Sequence, residues 1–192
     1  MTECKFSILK EDPVPCEEKD CQKCELYKHG SRMVWGEGHP HAPLYILLDN
    51  PGEREDKEGR PYVCGTRQVL QRGLIEAGIS LKHIYVTYIL KRRPKRAYNK
   101  SQTRDKCIRH LEQQLLNGRP KAVVCLGNVS VQSFFRNPQA EVKNLRGAWH
   151  HVNGWKTAVS YHPLAVRRRP NLYAFFAEDL KLAREQTDKI LK

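Results

Sequence analysis

Short apolar runs alternate with segments of helical periodicity along most of the chain. The runs have the length and composition of buried strands and lie at 44–48, 84–90, 122–126 and 155–160. Apolar residues recur at helical spacing over 66–77, 103–118, 128–135 and 172–191. This alternation predicts an α/β fold, a three-layer α/β/α arrangement around a central, mostly parallel, four-stranded sheet. A length of 192 residues predicts one domain over 1–192.

Polar side chains follow the predicted strands. Asp49 and Asn50 come after the first strand, and Tyr88, Asn128 and His162 stand at or just beyond the ends of the other three. Right-handed crossovers place the carboxyl ends of parallel strands on one rim of the sheet, where ligands bind in open α/β folds. We therefore expect these side chains to converge on one site. An ordinary turn is the alternative for residues 49–52, since Asn, Pro and Gly favour turns.

The charge of the chain indicates a polyanionic partner. Lys and Arg total 34 against 21 Asp and Glu, which gives a net charge of +13 and a pI near 9.5. Dense cationic runs at 91–96 and 167–169 favour nucleic acid over a general solubility role. No apolar run reaches the length of a membrane span, and the N-terminus lacks the apolar core of a signal peptide. A cytoplasmic location without membrane association is the resulting prediction.

The seven cysteines are unevenly spaced, and four of them crowd the N-terminal segment. Disulfides are rare in the cytosol, so the run Cys16, Cys21 and Cys24 indicates metal binding. Residues 1–30 show no periodicity, and a bound metal would supply much of the folding free energy of such an arm. A redox dithiol is the alternative, although no strand precedes the Cys-x-x-Cys motif as that chemistry requires.

Several ordered motifs extend over nearly the whole chain. They are Cys21-x-x-Cys24-x-Leu26, Gly36-Glu37-Gly38, Pro51-Gly52-x-x-Glu55-Asp56, Gly59-Arg60-Pro61-Tyr62-Val63, Lys91-x-Arg93-Pro94, Cys107, Arg146-Gly147 and Tyr161-His162-Pro163. In this order they resemble the uracil-DNA glycosylase superfamily, and most closely its iron–sulfur (family 4) class.

The resemblance implies a monomeric DNA glycosylase of base-excision repair. Such an enzyme hydrolyses the N-glycosidic bond of uracil, or of a related deaminated base, after flipping the nucleotide into a pocket. Two alternatives remain: a DNA- or uracil-binding protein of the same fold with weak or no turnover, and a metal-stabilised nucleic-acid factor without a base pocket.

Roles for pocket residues follow from the same resemblance. His162 would donate a hydrogen bond to the base as negative charge develops, while Asp49 and Asn50 would act on the sugar and water side. Tyr62 would stack on the flipped base. The remaining substrate-binding candidates are Tyr88, Cys64 and Asn128, and Cys64 is equally well explained as a small apolar filler.

The resemblance also implies DNA contacts. Leu164 is the expected wedge that fills the space of the flipped base, and arginines nearby are expected to hold phosphates. These arginines form two groups, Arg167, Arg168 and Arg169 in one and Arg92 and Arg93 in the other.

Four positions depart from the family pattern. Arg92 stands where the third cluster cysteine is expected, so Cys16 becomes the candidate fourth ligand beside Cys21, Cys24 and Cys107. A [4Fe–4S] cluster, a zinc ion and no metal at all are the three alternatives. Tyr88 stands where an asparagine reads the uracil edge. Asp49 replaces a glutamate, and Asn50 occupies the position of a water-orienting residue in other classes.

Overall fold

The computed structural model describes residues 6–59, 63 and 65–188, with side chains described as far as residue 185. Its centre is one mixed sheet of seven strands in the order β1-β2-β4-β3-β5-β7-β6. The strands are β1 Glu11–Asp12, β2 Gly36–Gly38, β3 Leu44–Leu48, β4 Ile84–Tyr88, β5 Ala122–Leu126, β6 Trp149–Val152 and β7 Trp155–Ser160.

The four predicted strands are confirmed as the parallel centre of the sheet. β3 pairs in parallel with β4 and β5, and β5 pairs in parallel with β7. The prediction of four strands in total is wrong, because β1, β2 and β6 add antiparallel edges. β1 and β2 are two and three residues long, too short for an alternating pattern to show. β6 is only partly buried and contains two histidines, so it forms no apolar run.

Two residues expected in the second strand lie beyond its end. β4 stops at Tyr88, although Ile89 N–H still donates to the Leu48 carbonyl at 2.9 Å and Leu90 N–H to the Asp49 carbonyl at 3.0 Å. The chain therefore remains bonded alongside the segment that carries Asp49.

Seven α-helices connect and cover the strands within the described residues. They are α1 Glu53–Glu58, α2 Thr66–Glu76, α3 Lys100–Gly118, α4 Asn128–Phe134, α5 Val142–Leu145, α6 Pro163–Arg168 and α7 Tyr173–Asp188. Helix α3 begins earlier than expected because the Asn99 side chain caps it, accepting a hydrogen bond from Gln102 N–H at 3.1 Å. Residues 189–191, included in the predicted last helix, lie outside the described part of the chain.

The helices form one layer on each face of the sheet, which confirms the three-layer arrangement. Leu111 of α3 and Val131 of α4 belong to the core on one face. Leu74 of α2, Val166 of α6 and Phe176 of α7 belong to the core on the other. No helix among the described residues is long and apolar enough to cross a bilayer.

Replacing Phe176 by alanine tests the packing of α7. Phe176 is fully buried and its neighbour Phe175 is 43% exposed. We expect Phe176→Ala to lower the free energy of unfolding by about 3–5 kcal/mol, through lost burial and the cavity left behind. Phe175→Ala is the matched control and should cost about 1 kcal/mol, mainly from its contact with the Arg146 guanidinium. Urea unfolding of both variants measures the difference, and equal losses would contradict the assigned faces of α7.

Candidate active site

A cavity of about 660 Å³ opens at the carboxyl ends of the parallel strands. Asp49 and Asn50 after β3, Tyr88 at the end of β4, and His162 after β7 all contribute to its wall. The other lining residues are Leu48, Pro51, Gly52, Glu53, Arg54, Glu55, Gly65, Thr66, Arg67, Arg93, Leu164 and Arg167. Three of the four strand ends named from the sequence therefore meet around one hollow.

Asp49 is a largely buried carboxylate with one uncommitted oxygen. Burial raises the pKa of Asp49 to about 6, against the opposing effects of the Ser130 backbone N–H and the charge of Arg104. Its buried Oδ1 has no hydrogen-bond partner among the described residues. A buried acceptor without a partner is costly, so its presence in a cavity wall indicates a place for a water molecule or a substrate donor.

A hydrogen bond within the turn fixes the side chain of Asn50. Its side-chain Nδ2 donates to the Pro51 carbonyl at 2.7 Å, which leaves the amide oxygen as an acceptor at the cavity wall. Asp49 and Asn50 thus offer acceptor oxygens from adjacent positions.

His162 is held as a neutral imidazole in one tautomer. The Leu164 backbone N–H donates to His162 Nδ1 at 3.1 Å where Pro163 begins α6, so Nδ1 is the acceptor and Nε2 carries the proton. Burial, aided by the positive charge of Arg67, lowers the pKa of His162 to about 4. At neutral pH the ring therefore presents an uncharged N–H donor.

Gly127 sets the position of the His162 ring, a role that the sequence patterns did not suggest. Its φ of +95° favours glycine, and a Cβ at this position would lie 2.8 Å from His162 Cβ. The backbone of the turn after β5 consequently packs directly against the histidine.

A buried ionic network closes the side of the cavity next to β2 and β4. Arg67 on α2 pairs with Glu37 of β2 and lies 3.5 Å from Glu55 Oε1. Burial opposes its charge, but Glu37, Tyr88 and Glu55 together raise the pKa of Arg67 above its ordinary value. Arg67 and Glu37 were not among the predicted site residues. A signal was present, since Arg67 precedes the buried Leu70 and Leu74 at helical spacing.

Tyr88 belongs to this network. Its hydroxyl donates to Glu37 Oε1 at 2.8 Å and accepts from Arg67 Nη2 at 2.9 Å. Burial raises the pKa of Tyr88 well above its ordinary value, so the hydroxyl stays protonated. Its one donor hydrogen is committed to Glu37, so the hydroxyl has none left to donate to a bound ligand.

Some of the predicted DNA-contact residues line the cavity and the others do not. Leu164 and Arg167 line the cavity, and Arg168 and Arg169 are exposed at the end of α6. Arg93 also lines the cavity and faces Glu53 at 3.5 Å. Arg92 does not line the cavity, and its Nη1 donates to the Ser31 carbonyl.

Of the remaining predicted substrate-binding residues, the structure describes Asn128, which does not line the cavity. Tyr62 and Cys64 are outside the described residues. Asn128 is exposed at the start of α4, and its Oδ1 accepts from the Val142 N–H at 3.0 Å, a contact that ties α4 to α5.

Comparison with known proteins assigns the family. The profile of the Uracil DNA glycosylase superfamily matches residues 35–184. The chain belongs to this superfamily.

Its relatives include three curated as "Type-4 uracil-DNA glycosylase". The protein from Archaeoglobus fulgidus is 32% identical over 180 residues, which cover 88% of this chain and 89% of the relative. The one from Saccharolobus solfataricus is 30% identical, with 91% and 85% covered. The one from Thermotoga maritima is 29% identical, with 86% and 88% covered.

The cysteines of the four-thiolate set expected from the resemblance differ in burial: Cys16 is exposed, Cys21 and Cys24 are half-buried, and Cys107 is buried. Cys16 belongs to no group of three ligand-type side chains within 4.8 Å of one another in the described residues. Arg92, at the expected third position, donates instead to the Ser31 carbonyl at 2.6 Å. The four-cysteine site stays a prediction, because the sulfurs around a four-iron cluster lie farther apart than the donors around a single ion. The group that does lie within 4.8 Å is Glu18, Cys21 and His110.

Removing Arg67 tests the importance of the buried network. Arg67→Met leaves the Glu37 and Glu55 carboxylates buried without their cation, so we expect a loss of about 3–5 kcal/mol in the free energy of unfolding. Arg72→Met is the control, because Arg72 on the same helix pairs with Glu76 at an exposed site and such pairs contribute about 0.2–1 kcal/mol. Denaturant titration of both variants gives the comparison. Similar small losses would show that the network contributes little to stability.

Proposed function

We propose that this protein is a DNA glycosylase that hydrolyses the N-glycosidic bond of uracil, or a related deaminated base, in DNA. The observation that carries the proposal is the arrangement of Asp49, Asn50 and His162 around one cavity at the strand ends. Membership of the uracil-DNA glycosylase superfamily and the curated names of the relatives support it. We further propose that the protein is a monomeric, cytoplasmic repair enzyme that folds as one domain over 1–192.

His162 acts on the leaving base. When the bond between C1′ of the sugar and the pyrimidine nitrogen breaks, its electron pair passes to the base and negative charge builds on the carbonyl oxygens. A neutral imidazole with its proton on Nε2 donates a hydrogen bond to such an oxygen. The hydrogen bond from Leu164 N–H to Nδ1 keeps that proton on Nε2.

Asp49 and Asn50 act on the opposite side of the broken bond. The sugar becomes cationic as the base departs, and the ionised carboxylate of Asp49 stabilises that charge. A water molecule held by the acceptor oxygens of the pair adds to C1′, and its proton passes to Asp49 or to solvent. The products are the free base and an abasic sugar, and the proposal assigns no chemical step to a metal.

The surroundings of the cavity suit a flipped nucleotide. Leu164 lines the cavity as an apolar residue able to fill the vacated space in the duplex, with Arg167, Arg168 and Arg169 beside it for phosphate contacts. Stacking on Tyr62 and a lining role for Cys64 remain predictions.

A second candidate function is recognition of uracil or DNA without efficient turnover. The committed hydroxyl of Tyr88 favours it, because this side chain cannot read the edge of a uracil as an asparagine amide does. Competition by free uracil in a DNA-binding assay, together with absence of excision, would select this second function.

Excision of uracil from a labelled oligonucleotide, followed by alkaline cleavage at abasic sites, tests the enzymatic proposal. We expect His162→Gln and Asp49→Asn each to reduce the single-turnover rate about 100-fold or more, since each removes a group that stabilises the transition state. His39→Gln is the control, because His39 is exposed at the opposite end of the sheet. No excision by the unmodified protein, or full activity in both site variants, would reject the proposal.

The acid limb of the rate profile should report Asp49. The ionised carboxylate is the active form and its pKa is about 6, so the rate should rise with pH through about 6 and then level. His162 is already neutral in this range, since its pKa is about 4. Single-turnover rates from about pH 5 to pH 8 measure the limb. The limb should disappear in Asp49→Asn, and an unchanged inflection there would exclude Asp49 as its source.

A further inference from the structure

Arg67 presents hydrogen-bond donors to the cavity that the fold itself does not use. The residue is 6% exposed and lines the cavity wall. Its Nη2 donates to the Tyr88 hydroxyl at 2.9 Å and pairs with Glu37, and its Nε lies 3.5 Å from Glu55 Oε1. Among the described residues Nη1 has no hydrogen-bond partner, and it is not one of the polar atoms that are fully buried without one. A guanidinium has N–H donors and no acceptor, so a ligand in the cavity can accept from Nη1.

The network around Arg67 holds this free amino group in a fixed place. Glu37 Oε1 accepts from Arg67 Nη2 and also from the Tyr88 hydroxyl at 2.8 Å, which joins the three side chains. The guanidinium carbon lies 5.9 Å from the centroid of the Tyr88 ring. A guanidinium held in this way loses little further freedom when a ligand binds, so its hydrogen bond costs less ordering entropy than one from a mobile side chain.

Arg67 and His162 supply N–H donors to one cavity from different elements. Arg67 is on α2, and His162 follows β7. The charge of Arg67 contributes to the lowered pKa of His162, so the two groups interact. Uracil carries carbonyl acceptors at C2 and C4, on either side of N3, whereas cytosine carries a donor amino group at C4. Deamination of cytosine therefore replaces a group that repels a second donor by one that accepts from it.

We propose that Arg67 is the residue that reads the flipped base, with Nη1 donating to O4 of uracil while His162 donates to O2. The inference rests on the proposed glycosylase function. It gives Arg67 the part for which the resemblance expects an asparagine at the position of Tyr88, and Tyr88 then orients the guanidinium. Cytosine in the same place would leave its 4-amino group and Nη1 as facing donors without acceptors, which a buried site rejects.

Binding of oligonucleotides that cannot be cleaved tests this assignment without the chemical step. A fluorine at the 2′ position prevents cleavage because it disfavours positive charge on the sugar. One single strand carries uracil at this nucleotide, and its partner ligand carries 2-pyrimidinone, which lacks O4. We expect the unmodified protein to bind the uracil strand about 10- to 100-fold more tightly, the range for a hydrogen bond from a charged donor. Equal dissociation constants for the two strands would overturn the proposal.

Arg67→Lys separates the guanidinium from its charge. A lysine keeps the cation that Glu37 and Glu55 require but cannot reach these partners and the base at once. We expect its preference for uracil over 2-pyrimidinone to fall to about 3-fold or less, while thermal unfolding shows a folded protein. The same comparison cancels the loss of N3–H in 2-pyrimidinone. Arg72→Lys on the same helix is the matched control and should keep the full preference, because Arg72 is paired with Glu76 away from the cavity.

Tyr88→Phe distinguishes the two possible readers. It removes the hydroxyl and leaves Arg67 Nη1 in the wall, so the preference for uracil should persist. Loss of the preference in Tyr88→Phe, or its retention in a folded Arg67→Lys, would overturn the proposal. Excision by the unmodified protein is measured separately. Excision without a preference between the two strands rejects the role of Arg67 alone, whereas a preference without excision rejects the proposed reaction and leaves the base reader in place.

Discussion

The register of the parallel strands is the constraint on which the site depends. Leu48 pairs with Tyr88 across β3 and β4, and Leu126 pairs with Ser160 across β5 and β7. The strands therefore end nearly level, and the residues that follow them share one rim. The central strands are fully buried on both faces, so a shift of one residue would exchange the side chains between the two helix layers. Packing of the core thus fixes the place of Asp49 relative to His162.

Forming the site costs stability, because burial disfavours the charged forms of Asp49 and His162. Burial raises the pKa of Asp49 and lowers that of His162, so each folded-state shift opposes the charged form of its group. Asp49 therefore favours folding most at low pH, and its contribution is lost as pH rises through about 6, where the carboxylate becomes the form that catalysis needs. For Arg67 the effect of burial is outweighed, because Glu37 and Glu55 stabilise its positive charge and raise its pKa. Its positive charge also helps to keep His162 neutral, which links the structural network to the proposed donor.

Periodicity identified the centre of this fold because the central strands are apolar throughout and bounded by polar residues. It did not identify the edges, since β1 and β2 are too short and β6 combines exposed and buried positions. The residues at the strand ends could be named because each lies at or just beyond the end of an apolar run that predicts a strand. Arg67 and Glu37 were missed because a charged residue on an apolar helix face, or in a three-residue strand, gains its meaning only from a partner distant in the chain. Tyr88 illustrates the reverse case, as its position was predicted and its committed hydroxyl was not.

Arg92 gives the arm a contact of a different kind from the one that the expected cysteine would make. Arg92 places a cation where a thiolate is expected and uses it to hold the Ser31 carbonyl, so the arm gains a hydrogen bond and loses a ligand. Next to it in the chain, the Lys91 backbone N–H donates to Cys107 Sγ at 3.4 Å, and the Lys91 ammonium lies over the Trp35 ring that contacts His110. Lys91 follows β4 by three residues, so Cys107 on α3 is connected to the same strand that presents Tyr88 to the cavity.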